Sequence, residues 1–300
     1  ICICIDYYES FAPADQGTIK TAYVGQRKYT HAPMGPLVDP GYHGQLPASD
    51  FRADPTPYLD AAQDLQEALQ GNAVGGSVIH FIRPDRGVAG LEWTTDDLDR
   101  ELGPILTSAR VQSLFQAVCI GWEPGPKYYY NNAWWVEMSQ WLAKTFPHAL
   151  RLIHMVADCD APVGGNDDQI GISNGQGWAN VAPYLHGYLA QYGGYVGDGT
   201  YPPDPSNPNS GPSAADFAPN LQSTIADMVD RFRTGRAGWP TSSAWGDGKP
   251  LRVYGGEYAA FRAYWGNAPE SDSVLLGNAC MAGGAFGYLD GGSVDVPLKA

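Results

Sequence analysis

The stretch Leu114-Phe115-Gln116-Ala117-Val118-Cys119-Ile120-Gly121-Trp122-Glu123-Pro124 carries the pattern that sets the fold. Its apolar run, Leu114 to Ile120, is short and bounded by a glycine, which predicts a strand buried on both faces. The run then stops on a carboxylate.

The same order recurs on either side. Toward the N-terminus, Ser77 to Ile82 runs into Arg83-Pro84-Asp85, and Ile1 to Asp6 runs into Tyr7-Tyr8. Toward the C-terminus, Arg151 to Val156 leads to Ala157-Asp158-Cys159-Asp160, Leu251 to Tyr254 to Gly255-Gly256-Glu257, and Ala285 to Leu289 to Asp290. Thr21 to Val24 and Gly194 to Val196 are expected as two shorter strands.

Helical periodicity separates most of these runs. It starts after Asp54-Pro55 with Tyr58, Leu59, Ala62, Leu65 and Leu69, and at Thr95 with Asp96 and Asp97 in the first turn, where acids suit the helix dipole. Further helices are expected over Asn132 to Lys144, Trp178 to Gln191 with Pro183 in its first turn, Asp216 to Phe232, and Ser273 to Met281. Eight strands alternating with helices predict an α/β chain closed as a (β/α)₈ TIM-like barrel. The segments 11–54 and 197–219, rich in Gly, Pro and polar residues, are expected as long loop insertions within a single domain spanning 1–300. Only ten residues follow Asp290, so the final outer helix is expected to be missing. That leaves a seam for a neighbouring domain or an assembly partner.

Composition narrows the partners. The chain has 300 residues, 44% of them hydrophobic, enough for a sizeable core. Against 18 Lys and Arg stand 32 Asp and Glu, a net charge of -14 that repels phosphate backbones and anionic lipid, so neither nucleic acid nor membrane is expected as partner. No apolar run approaches the ~20 residues of a membrane span. No glycine-rich phosphate loop follows a strand, and His80 and His154 lack any metal-ligand spacing, so no cofactor and no metal is expected. Both histidines are read as interior packing or as hydrogen-bond partners of a carboxylate. The five cysteines, Cys2, Cys4, Cys119, Cys159 and Cys280, are read as buried free thiols, with Cys159 the one to watch.

Active sites of such barrels gather at the C-terminal ends of the strands. Glu123 stands beside an indole, Trp122, in a setting that raises a carboxyl toward general-acid use, and Glu257 follows a pair of glycines with Tyr258 beside it. Asp6, Tyr7, His80, Arg83, Trp122, Asp158, Asp160, Tyr258 and Asp290 complete the expected substrate-binding set. Aromatics near strand ends, including Tyr8, Trp93, Tyr128 to Tyr130, Trp134, Trp245 and Trp265, offer faces for sugar rings, whereas Trp135 and Trp141 sit at core spacing.

With Glu123 after the fourth expected strand and Glu257 after the seventh, the chain resembles (β/α)₈-barrel glycoside hydrolases that carry an acid/base Glu and a nucleophile Glu at those places. Trp122 stands where that group commonly has Asn. The resemblance implies cleavage of poly- or oligosaccharide with retention, for which the carboxyls lie about 5–5.5 Å apart. Asp158 or Asp160 is an alternative to Glu257. A non-catalytic carbohydrate-binding or structural barrel in an extracellular or virion assembly is the competing expectation. Either reading favours an extracellular or virion-associated setting over the cytoplasm.

Overall fold

The structure, a computed structural model, describes residues 2–3, 5–6, 13–18, 20–21, 31–35, 51–72, 76–82, 94–121, 132–157, 176–192, 214–236, 239–256 and 270–290. Its strands are β1 in two pieces, Cys2–Ile3 and Ile5–Asp6, then β2 His31–Gly35, β3 Ser77–Ile82, β4 Ala117–Ile120, β5 Leu150–Ala157, β6 Gly187–Tyr192, β7 Arg252–Gly256 and β8 Gly287–Asp290. All pair in parallel, each with its neighbour in sequence. Cys2 of β1 aligns with His31 on one side and Leu289 on the other, so the sheet returns to its first strand. The chain is a closed (β/α)₈ barrel.

Helices α1 Pro13–Thr18, α2 Thr56–Asn72, α3 Thr95–Glu101, α4 Gly103–Leu106, α5 Ala109–Leu114, α6 Asn132–Thr145, α7 Gln176–Val181, α8 Ala214–Thr234 and α9 Glu270–Ala282 fall between the strands. Local chemistry explains several of their ends. Asp54 Oδ1 accepts the Thr56 N–H at the start of α2. Thr94 and Asp97 cap α3 reciprocally, each side chain accepting the other's backbone N–H. Pro104 sits in the first turn of α4, where its missing N–H costs nothing.

Two expected elements differ. Trp178 to Gln191 is not one helix: α7 ends at Val181, a 3₁₀ turn holds Ala182–Tyr184, and β6 begins at Gly187. Tyr184, Leu185, Tyr188 and Leu189 imitate helical spacing, but Leu185 already has extended backbone and Gly187 starts the ladder to Leu152 and Arg252. The sixth strand is therefore β6, and Gly194 to Val196 lies outside the described residues. Likewise the second strand is β2 and not Thr21 to Val24, of which only Thr21 is described, in a helical turn. β2 contains Pro33, which cannot donate to a ladder and so hides the strand from sequence patterning. Segment 11–54 thus contributes a barrel strand, and residues 214–219 of the second expected loop belong to α8. The ten residues after Asp290, on which the missing outer helix was judged, lie outside the described residues.

Side chains alternate between two separate apolar clusters. Val78, Ile82, Val118, Ile120, Ile153 and Val253 pack with helix residues such as Leu65, Trp135 and Ile225 in the outer layer. Ile79, Phe81, Ala117, Cys119, Leu152, Leu189 and Tyr254, drawn from five strands, form their own cluster inside the barrel. Residues i and i+2 of one strand share a face, so a single register shift would exchange the two clusters.

Gly187 shows how tightly the interior is filled. A Cβ there would lie 2.4 Å from Leu152 Cδ2 and 2.9 Å from the Arg252 carbonyl oxygen. Gly187→Ala should lower stability in urea unfolding by about 1–3 kcal/mol through overpacking. By contrast, Gly71→Ala meets nothing within 4 Å in α2 and should raise stability by up to about 1 kcal/mol.

Candidate active site at the C-terminal rim

The rim is built from the strand ends. β1 closes on Asp6 and β8 on Asp290; these strands are neighbours, with Ile3 opposite Asp290. Their placement at the rim is a matter of backbone register. β4 ends at Ile120, and Gly121 turns the chain with φ 84°, a left-handed conformation that suits glycine. Its N–H donates to the Ile82 carbonyl at 3.0 Å, which ties the end of β4 to the end of β3. A Cβ on Gly121 would lie 3.1 Å from the His154 carbonyl oxygen and 3.3 Å from the Trp135 ring. The glycine therefore fixes the departure point of the chain two residues before Glu123. On the other side, β7 ends in Gly255-Gly256, which pair with Ala190 and Gln191 of β6 and with Tyr288 and Leu289 of β8.

Of the expected site residues, Tyr7, Arg83, Trp122, Glu123, Asp158, Asp160, Glu257 and Tyr258 lie outside the described residues. Cys159, Trp93, Trp265, Tyr8 and Tyr128 to Tyr130 do too. His80 is a correction. It belongs to the face of β3 that meets the helices, not to the mouth: its ring stacks on Phe115 at 3.6 Å between centroids, and its Nδ1 lies 3.0 Å from Tyr58 Oη. Tyr58 Oη in turn donates to the Met34 carbonyl at 3.2 Å. The cause is the pleat, which sends His80 outward with Val78 and Ile82 while Ile79 and Phe81 go inward.

Two aromatics are corrected as well. Trp245 precedes β7 at the opposite, N-terminal end, buried against Trp178 and Phe232. Trp134 is a buried residue of α6, edge to face with Trp135. Trp135 and Trp141 are core residues, as their spacing predicts, and Trp141 Nε1 donates to Asp99 Oδ1 at 2.8 Å. Cys119 and Cys280 are buried free thiols.

His154 carries a signal that sequence patterning could not resolve. It lies on the inward face of β5, with Leu152, and meets Phe81 edge to face at 5.6 Å between centroids. Across the ladder it aligns with Leu189, which aligns with Tyr254.

The opposite face holds a different polar cluster. Arg151 donates through Nε to the Tyr184 carbonyl at 2.7 Å and through one terminal nitrogen to the Phe146 and Pro147 carbonyls at 3.2 and 3.1 Å. Phe146 directly follows α6, so the cation sits at the negative end of that helix. His186 Nδ1 accepts the Arg151 backbone N–H at 3.1 Å, and Arg252 pairs with Asp247 at 2.9 Å. At the N-terminal face of a barrel such a cluster serves stability. Among the described residues no group of three or more His, Cys, Asp or Glu could hold a metal ion, and no helix is long and apolar enough to cross a membrane.

The sequence matches no protein-family model and no curated relative. Among solved structures, the chain is similar to a candidate α-L-fucosidase from Bacteroides thetaiotaomicron, with 9% identity, 96% of this chain and 86% of that one covered, and a TM-score of 0.49. It is similar to the endo-β-1,4-mannanase from Thermotoga petrophila, with 11% identity, coverage of 97% and 67%, and a TM-score of 0.48. The carboxyl transferase domain of Rhizobium etli pyruvate carboxylase gives 6% identity, coverage of 97% and 39%, and a TM-score of 0.43. Likenesses of this degree transfer no activity, and fold alone does not fix function. The barrel itself rests on the strand pairings.

Two histidines make stability depend on pH. Burial pushes His80 down from 6.5 to about 3, offset in part by the backbone of Leu114. Burial, followed by the charge of Arg151, pushes His186 down from 6.5 to about 4. In both cases the unfolded chain takes up the proton first, so their contribution is complete above pH 6.5 and is lost as pH falls. Loss through His186 levels off near pH 4 and through His80 near pH 3. Urea midpoints should therefore fall steadily from pH 7 to about pH 4, and His80→Leu should make that fall shallower. An unchanged slope in His80→Leu would contradict the assignment.

Proposed function

We propose that this chain is a glycoside hydrolase acting on poly- or oligosaccharide, with Glu123 as general acid and then base, and Glu257 as nucleophile. One observation carries the reading. Ala117–Ile120 is the fourth strand of the closed barrel and Arg252–Gly256 the seventh. In sequence, Glu123 follows the fourth strand by three residues and Glu257 follows the seventh directly. The count withstands the replacement of two expected strands by β2 and β6, because each replaced one other.

A glycosidic bond needs a carboxyl that delivers a proton to the departing oxygen and a second carboxylate that attacks the anomeric carbon. Strand ends of a parallel barrel all open on one face, which lets acids far apart in sequence serve one bond. Gly255-Gly256, immediately before Glu257, support the reading, since backbone without side chains leaves room at the rim. Asp6 and Asp290 are further acidic groups for sugar hydroxyls.

Substitution separates the two roles. Glu257→Gln should lower turnover at least about a thousandfold on every glycoside, because the covalent step loses its nucleophile. Glu123→Gln should lower turnover of natural glycosides by about 10²–10⁴, yet still release an activated leaving group such as dinitrophenolate, with azide accelerating the second step. Near-normal turnover in either folded variant would sink the assignment. Sugar binding by the unaltered protein without hydrolysis of a broad glycan panel would favour a binding barrel.

A further inference from the structure

We infer that His186 is an acid-sensitive latch at the N-terminal face: a proton on its imidazole releases the turn 246–250 from the start of β6 while the barrel stays folded. The inference does not depend on the glycosidase reading.

The ring stands where three segments meet. His186 lies between the 3₁₀ turn Ala182–Tyr184 and β6. Its N–H donates to the Arg151 carbonyl at 2.8 Å, and its carbonyl accepts the Arg252 N–H at 3.1 Å, so it joins the entries of β5 and β7. The turn before β7 rests on it, because the Gly246 N–H donates to the Leu185 carbonyl at 3.0 Å. A Cβ on Gly246 would lie 3.2 Å from His186 Nε2, 3.1 Å from Arg151 Nη2 and 3.0 Å from the Pro183 carbonyl oxygen. The turn thus lies directly over the imidazole and the guanidinium.

Hydrogen-bond chemistry makes this contact depend on the proton. Both ring nitrogens face N–H groups of Arg151, the backbone N–H at Nδ1 and Nη2 at Nε2, each at 3.1 Å. A neutral imidazole has one lone pair to offer them; an imidazolium has none and sets donor against donor at both places. Arg151 is held against turning away, since its Nε and Nη1 donate to the Tyr184, Phe146 and Pro147 carbonyls.

Charge acts in the same direction. The charged groups around the ring are Arg151 on β5, Asp247 in the turn and Arg252 on β7. The Tyr184 phenol accepts from Gln140. Two cations already share one carboxylate, and Asp247 is paired with Arg252 at 2.9 Å, so a third cation joins a cluster that is net positive. Lifting the turn relieves both conflicts cheaply. Residues 246 to 250 are exposed, whereas Trp245 beside them stays anchored against Trp178 and Phe232. The closed site holds the imidazole at about 4, first through burial and then through Arg151, against 6.5 for a solvated ring. The open turn therefore takes up the proton first, and opening is favoured progressively as pH falls from about 6.5 to 4.

Native-state amide hydrogen exchange on the full chain tests this. The protection factor of the Gly246 amide, corrected for intrinsic exchange, should fall by roughly fiftyfold between about pH 7 and pH 4.5. It should stay below the protection of amides within β5 at each pH and be insensitive to low urea, since lifting a turn exposes little surface. In His186→Gln, whose side-chain carbonyl keeps an acceptor that does not titrate, Gly246 protection should no longer depend on pH. Exchange of Gly246 in step with β5 at every pH would reduce the effect to global unfolding and overturn the inference. A pH dependence that persists in folded His186→Gln would overturn it too. If that variant does not fold, the comparison of Gly246 with β5 in the unaltered protein still decides.

Discussion

The pairing of Cys2 with both His31 and Leu289 is the contact on which the architecture depends. Without it, β1 and β8 would be free edges of an open parallel sheet, each with a row of unpaired backbone groups. With it, every strand has two neighbours and the sheet has an inside. Only then do Ile79, Phe81, Cys119, Leu152, Leu189 and Tyr254 converge from different strands on one interior. Closure also aligns all C-terminal strand ends on a single face.

The barrel divides its polar groups by end. At the N-terminal end Arg151, His186, Asp247 and Arg252 satisfy one another and nearby carbonyls, including those that follow α6. Arg252 holds Asp247 in its charged form, below the ordinary carboxylate range despite partial burial. Such a network has few groups left to offer a ligand. At the C-terminal end four strands stop on glycine or aspartate, β1 on Asp6, β2 on Gly35, β7 on Gly256 and β8 on Asp290, and in sequence Glu123 and Glu257 follow β4 and β7. In parallel barrels the N-terminal face is where stability is secured and the C-terminal strand ends are where active sites gather.

The faces of β3 and β5 show the cost of polar groups inside. His80 is kept neutral by complete burial and retains Tyr58 as neighbour, so the outer layer accepts an imidazole at the expense of stability in acid. His154 occupies the interior, where apolar side chains dominate and polar groups persist only with partners. The same residue type in the same kind of element thus packs against the helices in one place and faces the barrel interior in another.

The sequence by itself determined the class of fold, most of its elements and the acids that follow the strands. Apolar runs ending on carboxylates reveal parallel strands because both faces are buried, and the spacing of Leu65, Leu69, Trp135 and Trp141 reveals helices because one face is. It could not reveal β2, where Pro33 disguises a strand, or β6, where Tyr188 and Leu189 continue a helical rhythm. Nor could it say which histidine faces inward. Strand side chains alternate with period two, so face depends on register against neighbours distant in sequence, such as Ile153 beside Ile120. Only the assembled barrel supplies that register, and it alone decided that His80 packs against helices while His154 looks into the barrel.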